Sequence, residues 1–317
     1  MRIAFVGEAL IDFTAVSGLN FEGHEGGAPA NGAIAASRLG QPGGFVSQLS
    51  TDLFGDRLLQ HLQRNGVDTR LVLRSDAPTT LAFVERTPQT NRYAFYTRGT
   101  ADTLWSPATL PALPESCRCL QFGAIALLTE PAASRITELV EAQRGQRLVV
   151  FDPNVRPSLI PDMAAYRARL PRWLAACDLL KLSDEDMAHL APTADLADAA
   201  AAWLAPAAAG RPGPRAVVVT RGGDSVTLYR AGRAPIAVRP PAVRVVDTIG
   251  AGDTFAAALS VALLEQGVDA ATQLEALPDA AWQAALRFAA TAAALNCTRE
   301  GAQPPMRAEL DRALAAA

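Results

Sequence analysis

Short runs of apolar, β-branched residues alternate along this chain with longer amphipathic stretches. Ile3–Gly7, Phe45–Leu49, Cys119–Phe122, Arg147–Phe151, Asp178–Leu182 and Arg215–Thr220 read as core strands. Leu148-Val149-Val150-Phe151 has no polar break, as expected of a strand covered on both faces. The stretches between them read as helices with legible ends. Pro29 suits a first helical position, and Gly40 ends the run Ala30–Leu39. Asp56–Asn65 carries Leu58, Leu59 and Leu62 on one face and stops at Gly66, while Glu130-Pro131 opens Ala132–Arg144, which stops at Gly145. Strand–helix alternation with short connections predicts an α/β fold around a mostly parallel sheet.

Two segments depart from this rhythm. Residues 8–25 are polar and glycine-rich. Residues 79–98 hold Thr79–Arg86 and Arg92–Arg98 around Thr87-Pro88-Gln89-Thr90-Asn91, a pattern that predicts a β-hairpin with a five-residue loop. Leu81, Phe83 and Glu85 alternate with Ala82, Val84 and Arg86 without a clean polar face. A hairpin inserted into a parallel α/β unit reads as a lid over a site, an ordinary extension of the sheet being the alternative. After Thr220, Ser225–Arg230 and Pro235–Val238 form a meander, and Val243–Val246 leads into a glycine-rich turn. The helical segments Asp253–Glu265 and Asp279–Asn296 follow, then a short tail helix. No repeat and no linker divides the chain, so residues 1–317 read as one domain.

Composition narrows the function. The chain has 317 residues, half of them hydrophobic and 19% charged, with a net charge of −3, a folded composition. Lys181 is the sole lysine, followed by Leu182 and preceded by no glycine-rich run. That excludes a P-loop and a protein kinase, both of which need a lysine in a defined setting. The mild acidity without a basic block argues against nucleic acid or an acidic membrane as partner. Cys117, Cys119, Cys177 and Cys297 lack zinc spacing, and His24, His61 and His189 are scattered. Glu8 and Asp12 interrupt the apolar start, which reads as a strand and not a signal peptide, so a cytoplasmic location with reduced thiols is expected.

The most informative stretch is Val246-Asp247-Thr248-Ile249-Gly250-Ala251-Gly252-Asp253-Thr254-Phe255. Three small residues precede an aspartate at the start of a long helix, where unpaired N–H groups and the helix dipole favour an anion. A carboxylate there is coherent if Asp253 takes a proton while a phosphoryl group develops charge against the N–H groups. That is a general base beside an anion hole, the requirement for phosphoryl transfer to an alcohol. A plain helix cap by Asp253 is the alternative. A dinucleotide fingerprint is excluded, because Phe255 stands where its third glycine would be.

Asp247-Thr248-x-Gly250-Ala251-Gly252-Asp253-Thr254-Phe255 resembles the C-terminal signature of the ribokinase-like, or PfkB, carbohydrate kinases. Gly26-Gly27-Ala28-Pro29-Ala30-Asn31, leading to Ala35, Arg38, Leu39 and Gly40, resembles their N-terminal signature. The resemblance implies a doubly wound, mostly parallel sheet flanked by helices, with a small β-sheet lid from insertions at about 12–25 and 79–100. It implies an ATP-dependent kinase using Mg2+, with Asp253 as base and Gly250, Ala251 and Gly252 as anion hole. Asp12, Gly26, Gly27 and Asn31 would hold sugar hydroxyls.

On the nucleotide side, Lys181-Leu182-Ser183-Asp184-Glu185-Asp186 resembles the family's N-x-x-E segment, with Ser183 and Asp186 in place of Asn and Glu. The resemblance assigns Lys181 and Ser183 to ATP and Asp186 to Mg2+ through water. Thr220-Arg221-Gly222-Gly223 resembles the triphosphate turn, although Ser225 replaces a usual glycine, and Asn296 to Gly301 resembles the adenine-side loop. Asp247 and that loop resemble a K+ site. Asp152-x-Asn154-x-Arg156 and Arg98 resemble both fructokinases and 2-keto-3-deoxygluconate kinases, with Asn154, Arg156 and Arg98 at the substrate, and Pro153, Pro157 and the K-x-S-D-E pattern tilt the resemblance toward fructokinases. 2-Keto-3-deoxygluconate kinase is the alternative, then ribokinase or nucleoside kinase, and, in a different class, a non-catalytic sugar or nucleotide sensor. The resemblance also implies a homodimer through the lid.

Overall fold

In the computed structural model, which describes residues 1–86 and 91–316, the continuous apolar runs stack side by side into one sheet. Among the described residues it has nine strands. Seven are parallel: β1 (Ile3–Val6), β4 (Gly43–Ser50), β5 (Asp68–Ser75), β8 (Cys119–Gly123), β9 (Leu148–Asp152), β10 (Leu179–Ser183) and β11 (Ala216–Arg221). The antiparallel β12 (Ser225–Tyr229) and β13 (Ile236–Val238) finish one edge. The order β13-β12-β11-β10-β9-β8-β1-β4-β5 runs outward from β1 in both directions. The winding therefore reverses beside β1, and a crevice opens there at the carboxyl ends of the strands, where such sheets bind ligands.

Helices cover both faces. On one side lie α1 (Ala28–Arg38), α7 (Ala251–Glu265) and α9 (Asp279–Asn296); on the other lie α3 (Ala132–Gln143), α4 (Met163–Ala176), α5 (Asp184–Leu190) and α6 (Leu196–Ala208). α2 (Leu53–Arg64), the short α8 (Ala271–Ala276) and α10 (Arg307–Ala315) complete the set. α7 is buried on every side from Asp253 to Leu264, wedged against α1 and α9. Its Ala-rich sequence permits that close approach. Asp52 caps α2 by accepting the N–H of Gly55 at 2.8 Å, so that helix starts before the predicted Asp56.

The polar, glycine-rich segment is not a loop. It forms β2 (Leu10–Ser17) and β3 (Asn20–Gly26), which join β6 (Thr80–Arg86) and β7 (Asn91–Tyr96) in a second sheet of order β3-β2-β6-β7. The predicted hairpin is present, but the loop residues Thr87–Thr90 lie outside the described residues. Phe13 of β2 stacks on Phe83 of β6 at 4.9 Å and meets Phe54 of α2 edge-on at 5.7 Å, which ties this sheet to the larger one. Its root is also fixed by Asp52, which accepts both the N–H and the hydroxyl of Thr79. β5 was not anticipated, because its alternating charges mark an edge strand. Val243–Val246 forms no strand. Among the described residues no helix is long and apolar enough to cross a membrane.

Candidate active site

The start of α7 faces the crevice. Gly250, its N-cap, has φ 73°, and a Cβ there would lie 2.6 Å from the Cβ of Ala302, so both conformation and space require glycine. The N–H of Ala251 turns back onto the Thr248 carbonyl at 3.2 Å. The N–H groups of Gly252 and Asp253, in the first helical turn, are therefore the donors aimed at an incoming anion. The Nζ of Lys181 lies 3.3 Å from where a Cβ of Gly252 would sit, so an ammonium group adjoins the same spot.

Asp253 is buried, and its carboxylate is gripped from two sides. Asn31 Nδ2 on α1 donates to Oδ2 at 2.9 Å, and Asn154 Nδ2, beyond β9, approaches Oδ1 at 3.4 Å. Burial pushes the Asp253 pKa up, opposed by the Asn31 hydrogen bond and the charges of Lys181 and Arg156. Asn154 has φ 39°, strained for a residue with a side chain, and such strain clusters at functional sites.

Asp12, on β2, is close enough for the charges of Arg156 and Asp253 to act on it. Gly26 is obligatory beside it, since a Cβ there would meet Asp12 Oδ2 at 2.5 Å. Gly27 has φ 107° and would clash with the Glu8 carbonyl. Burial raises the Asp12 pKa to about 6, opposed by Arg156. Arg156 is exposed, and its charge acts on Asp12 and Asp253 together. Arg98 is exposed in the segment after β7, and among the described residues no hydrogen bond or ion pair joins it to these groups.

The nucleotide-side residues divide. Lys181 Nζ donates to Asp152 Oδ2 at 2.8 Å, both side chains being buried. Burial would depress the Lys181 pKa, but Asp152, Asp186 and Asp253 outweigh it. Burial lifts the Asp152 pKa above the ordinary aspartate range, against the pull of Lys181. Thr220 leans its hydroxyl on the Leu182 carbonyl, and Gly222 (φ 48°) and Gly223 border open space.

Other residues serve the scaffold. Asn296 has no exposed surface: its Nδ2 donates to the Ile249 carbonyl at 2.8 Å, and its Oδ1 accepts from Thr254. It holds the Gly250 turn and does not face a nucleotide. Asp247 accepts the N–H groups of Ile249 (3.2 Å) and Gly301 (3.1 Å), which ties two loops together where a cation site would need converging oxygens. Ser183 and Asp186 form a reciprocal capping box on α5. Asp186 Oδ1 takes the N–H of Val155, and Oδ2 takes the N–H and hydroxyl of Ser183. Among the described residues no three His, Cys, Asp or Glu converge on a metal position. The donor set at Asp186 does not fit a resident Mg2+.

Sequence reasoning passed over Glu8 and the counter-ion role of Asp152. Glu8 is buried, accepts the N–H groups of Ala28 and Ala126, and is pushed by burial to about 8. A lone lysine beside a D-x-N-x-R strand end was the available signal for Asp152. Asp152 Oδ1 and Gln121 Oε1 are buried without hydrogen-bond partners among the described residues, and both residues line one cleft with Asn154 and Asp253.

A doubly wound sheet, a buried carboxylate at a helix-start anion hole and a second sheet across the crevice define a phosphotransferase acting on a small hydroxyl compound. The family model of pfkB family carbohydrate kinases matches residues 1–309, and the chain belongs to that family. It is 37% identical over 261 residues to a fructokinase of Rhizobium leguminosarum bv. trifolii, covering 81% of this chain and 78% of that protein. It is 35% identical to probable fructokinase-3 of Arabidopsis thaliana, over 98% of this chain and 89% of that one. The structure of a fructokinase with bound ATP from Xylella fastidiosa superposes with a TM-score of 0.84 at 30% identity, covering 99% and 98% of the two chains.

Proposed function

We propose that this protein is an ATP-dependent fructokinase, moving the γ-phosphoryl group of ATP onto a hydroxyl of the ketohexose. The observation that carries the reading is the Asp253 carboxylate, held by Asn31 and Asn154 beside the N–H groups of Gly252 and Asp253. The sugar lies between Asp12 and Asp253, its hydroxyls donating to Asp12 and accepting from Asn31. Asp253 removes the proton of the attacking hydroxyl, and its raised pKa makes it a stronger base than an exposed aspartate. The α7 N–H groups and Lys181 receive the charge on the phosphoryl oxygens. Asp152 keeps Lys181 in place. The fructokinases of Rhizobium leguminosarum and Arabidopsis thaliana, and the ATP-bound one of Xylella fastidiosa, support both substrates. A divalent cation enters with the nucleotide as part of that substrate, because Mg2+ binds chiefly through phosphate oxygens and water.

A neutral sugar is favoured over a keto acid. Asp12 and Asp253 already bring two carboxylates close together, and these would repel a carboxylate on the substrate. An ADP-release assay over fructose, 2-keto-3-deoxygluconate, ribose, tagatose 6-phosphate and adenosine tests the reading. Fructose is expected to show the highest kcat/KM. A higher value for the keto acid overturns the sugar assignment. Stabilisation by sugars without ADP release would favour a sensor.

The small sheet acts as a lid, and its exposed Val16, Leu19, Phe21 and Tyr96 form the surface for a second copy. Light scattering of wild type against Leu19→Asp tests that pairing. A cytoplasmic location accords with ATP as substrate and with the four free cysteines.

A further inference from the structure

Asp186 stands at the family's metal-associated position, yet its carboxylate is buried and both of its oxygens are taken by donors of this chain. It is 6% exposed. One oxygen accepts the Val155 N–H at 2.7 Å; the other accepts the Ser183 N–H at 2.9 Å and hydroxyl at 2.8 Å. The Ser183 hydroxyl in turn accepts the Asp186 N–H at 3.0 Å. A charged acceptor serving three donors is the strong form of the hydrogen bond.

Val155 is the residue between the two groups that the site needs from this loop. On one side is Asn154, in its strained φ 39° conformation with Nδ2 toward Asp253. On the other is Arg156, whose Nη1 bonds the Val155 carbonyl and whose charge reaches Asp12 and Asp253. A strained residue persists only where its surroundings over-determine it. The bond from Asp186 to the very next N–H supplies that constraint and couples it to the α5 cap.

We infer that Asp186 is a positioning residue for Asn154 and Arg156 in phosphoryl transfer, and not a metal ligand. The inference rests on the sugar-kinase reading of the crevice. Ser and Asp in place of Asn and Glu suit this task, since S-x-x-D closes a capping box with a short side chain.

Asp186→Asn tests it, because the amide keeps the size but cannot accept from all three donors. Amide exchange at Val155 is expected to accelerate by roughly tenfold or more. With fructose, kcat is expected to fall by about 10–100-fold, with a rise in sugar KM. The affinity for Mn2+·ADP is expected to hold within about twofold. A large loss of Mn2+·ADP affinity with Val155 exchange unchanged overturns the inference and restores the metal role. Asp195→Ala, which removes the α6 cap at a distance, controls for stability. If it reproduces the kinetic loss at equal Tm loss, the inference also fails. If wild type does not phosphorylate fructose, the substrate assignment falls, while the exchange and Mn2+·ADP measurements still decide the role of Asp186.

Discussion

The two sheets of this kinase meet at one crevice but are built on different terms. The large sheet is covered on both faces, and every residue of β1, β8 and β9 is buried. The small sheet relies on a local aromatic stack, Phe13–Phe83 with Phe21 and Tyr96 edge-on, and leaves Val16 and Leu19 exposed. Asp253, Asn154 and Lys181 stand on or beside the first; Asp12 stands on the second. Groups that must hold sub-ångström geometry during transfer sit on the part that cannot yield. Asp12, the group proposed to grip the sugar, sits on the less buried sheet, where a proposed lid would close as substrate enters.

Removing chemistry from the large sheet should have the largest effect. Asp253→Ala is expected to lower kcat by at least ~10²-fold with little change in sugar KM, measured by ADP release. Retained turnover with weakened binding would break the division. Asp12→Asn should do the reverse, raising sugar KM by about tenfold with kcat within a few-fold, the loss expected for hydrogen bonds to a charged group.

The pH dependence sharpens the same contrast. Burial raises both Asp12, to about 6, and Asp253. The acid limb of kcat/KM should therefore lie near pH 6 and above the ordinary aspartate range, activity falling as pH falls through it. In Asp12→Asn the limb should reflect Asp253 alone. A wild-type limb below pH 4 would contradict the burial of both groups.

Phe83→Ala should loosen the small sheet alone. A stability loss on the order of 1–2 kcal/mol and a few-fold rise in sugar KM are expected, with kcat preserved. The smallest effect on activity should come from Glu8→Gln. The Glu8 pKa is raised from 4.5 to about 8, so the unfolded chain ionises first as pH rises. Its contribution to stability is full below about 4.5 and is lost as pH rises toward 8. The Tm decline of wild type from pH 5 to 8 should be shallower in Glu8→Gln, while an identical decline would place the buried charge elsewhere.

How much was legible follows from the same physics. Strands buried on both faces announce themselves as unbroken apolar runs, so β1, β8, β9, β10 and β11 were placed to within a residue or two. β2 and β3 were implied only by the resemblance, as a lid insertion at about 12–25, because Asp12, His24 and the glycines among them erase the alternation of a one-faced strand. Asp253 and Asn31 were found because signatures keep them beside glycines. Asn296 and Asp186 were assigned to ligands because type and position are visible in a sequence, whereas the direction of a side chain is not. The backbone N–H groups that occupy Asp186 and Asp247 leave no mark on residue type.

What the sequence determined by itself was local: apolar runs, helix ends, a helix start able to receive an anion, and the exclusion of a lysine-based phosphate loop. The lone Lys181 could be counted but not placed. Tertiary structure set it against Asp152, within reach of the α7 helix start 70 residues further on, and joined Asn31 to Asp253 across 222 positions. Those partnerships depend on which strands lie side by side and where the winding reverses, and sheet order comes from long-range packing that no short stretch of residues encodes.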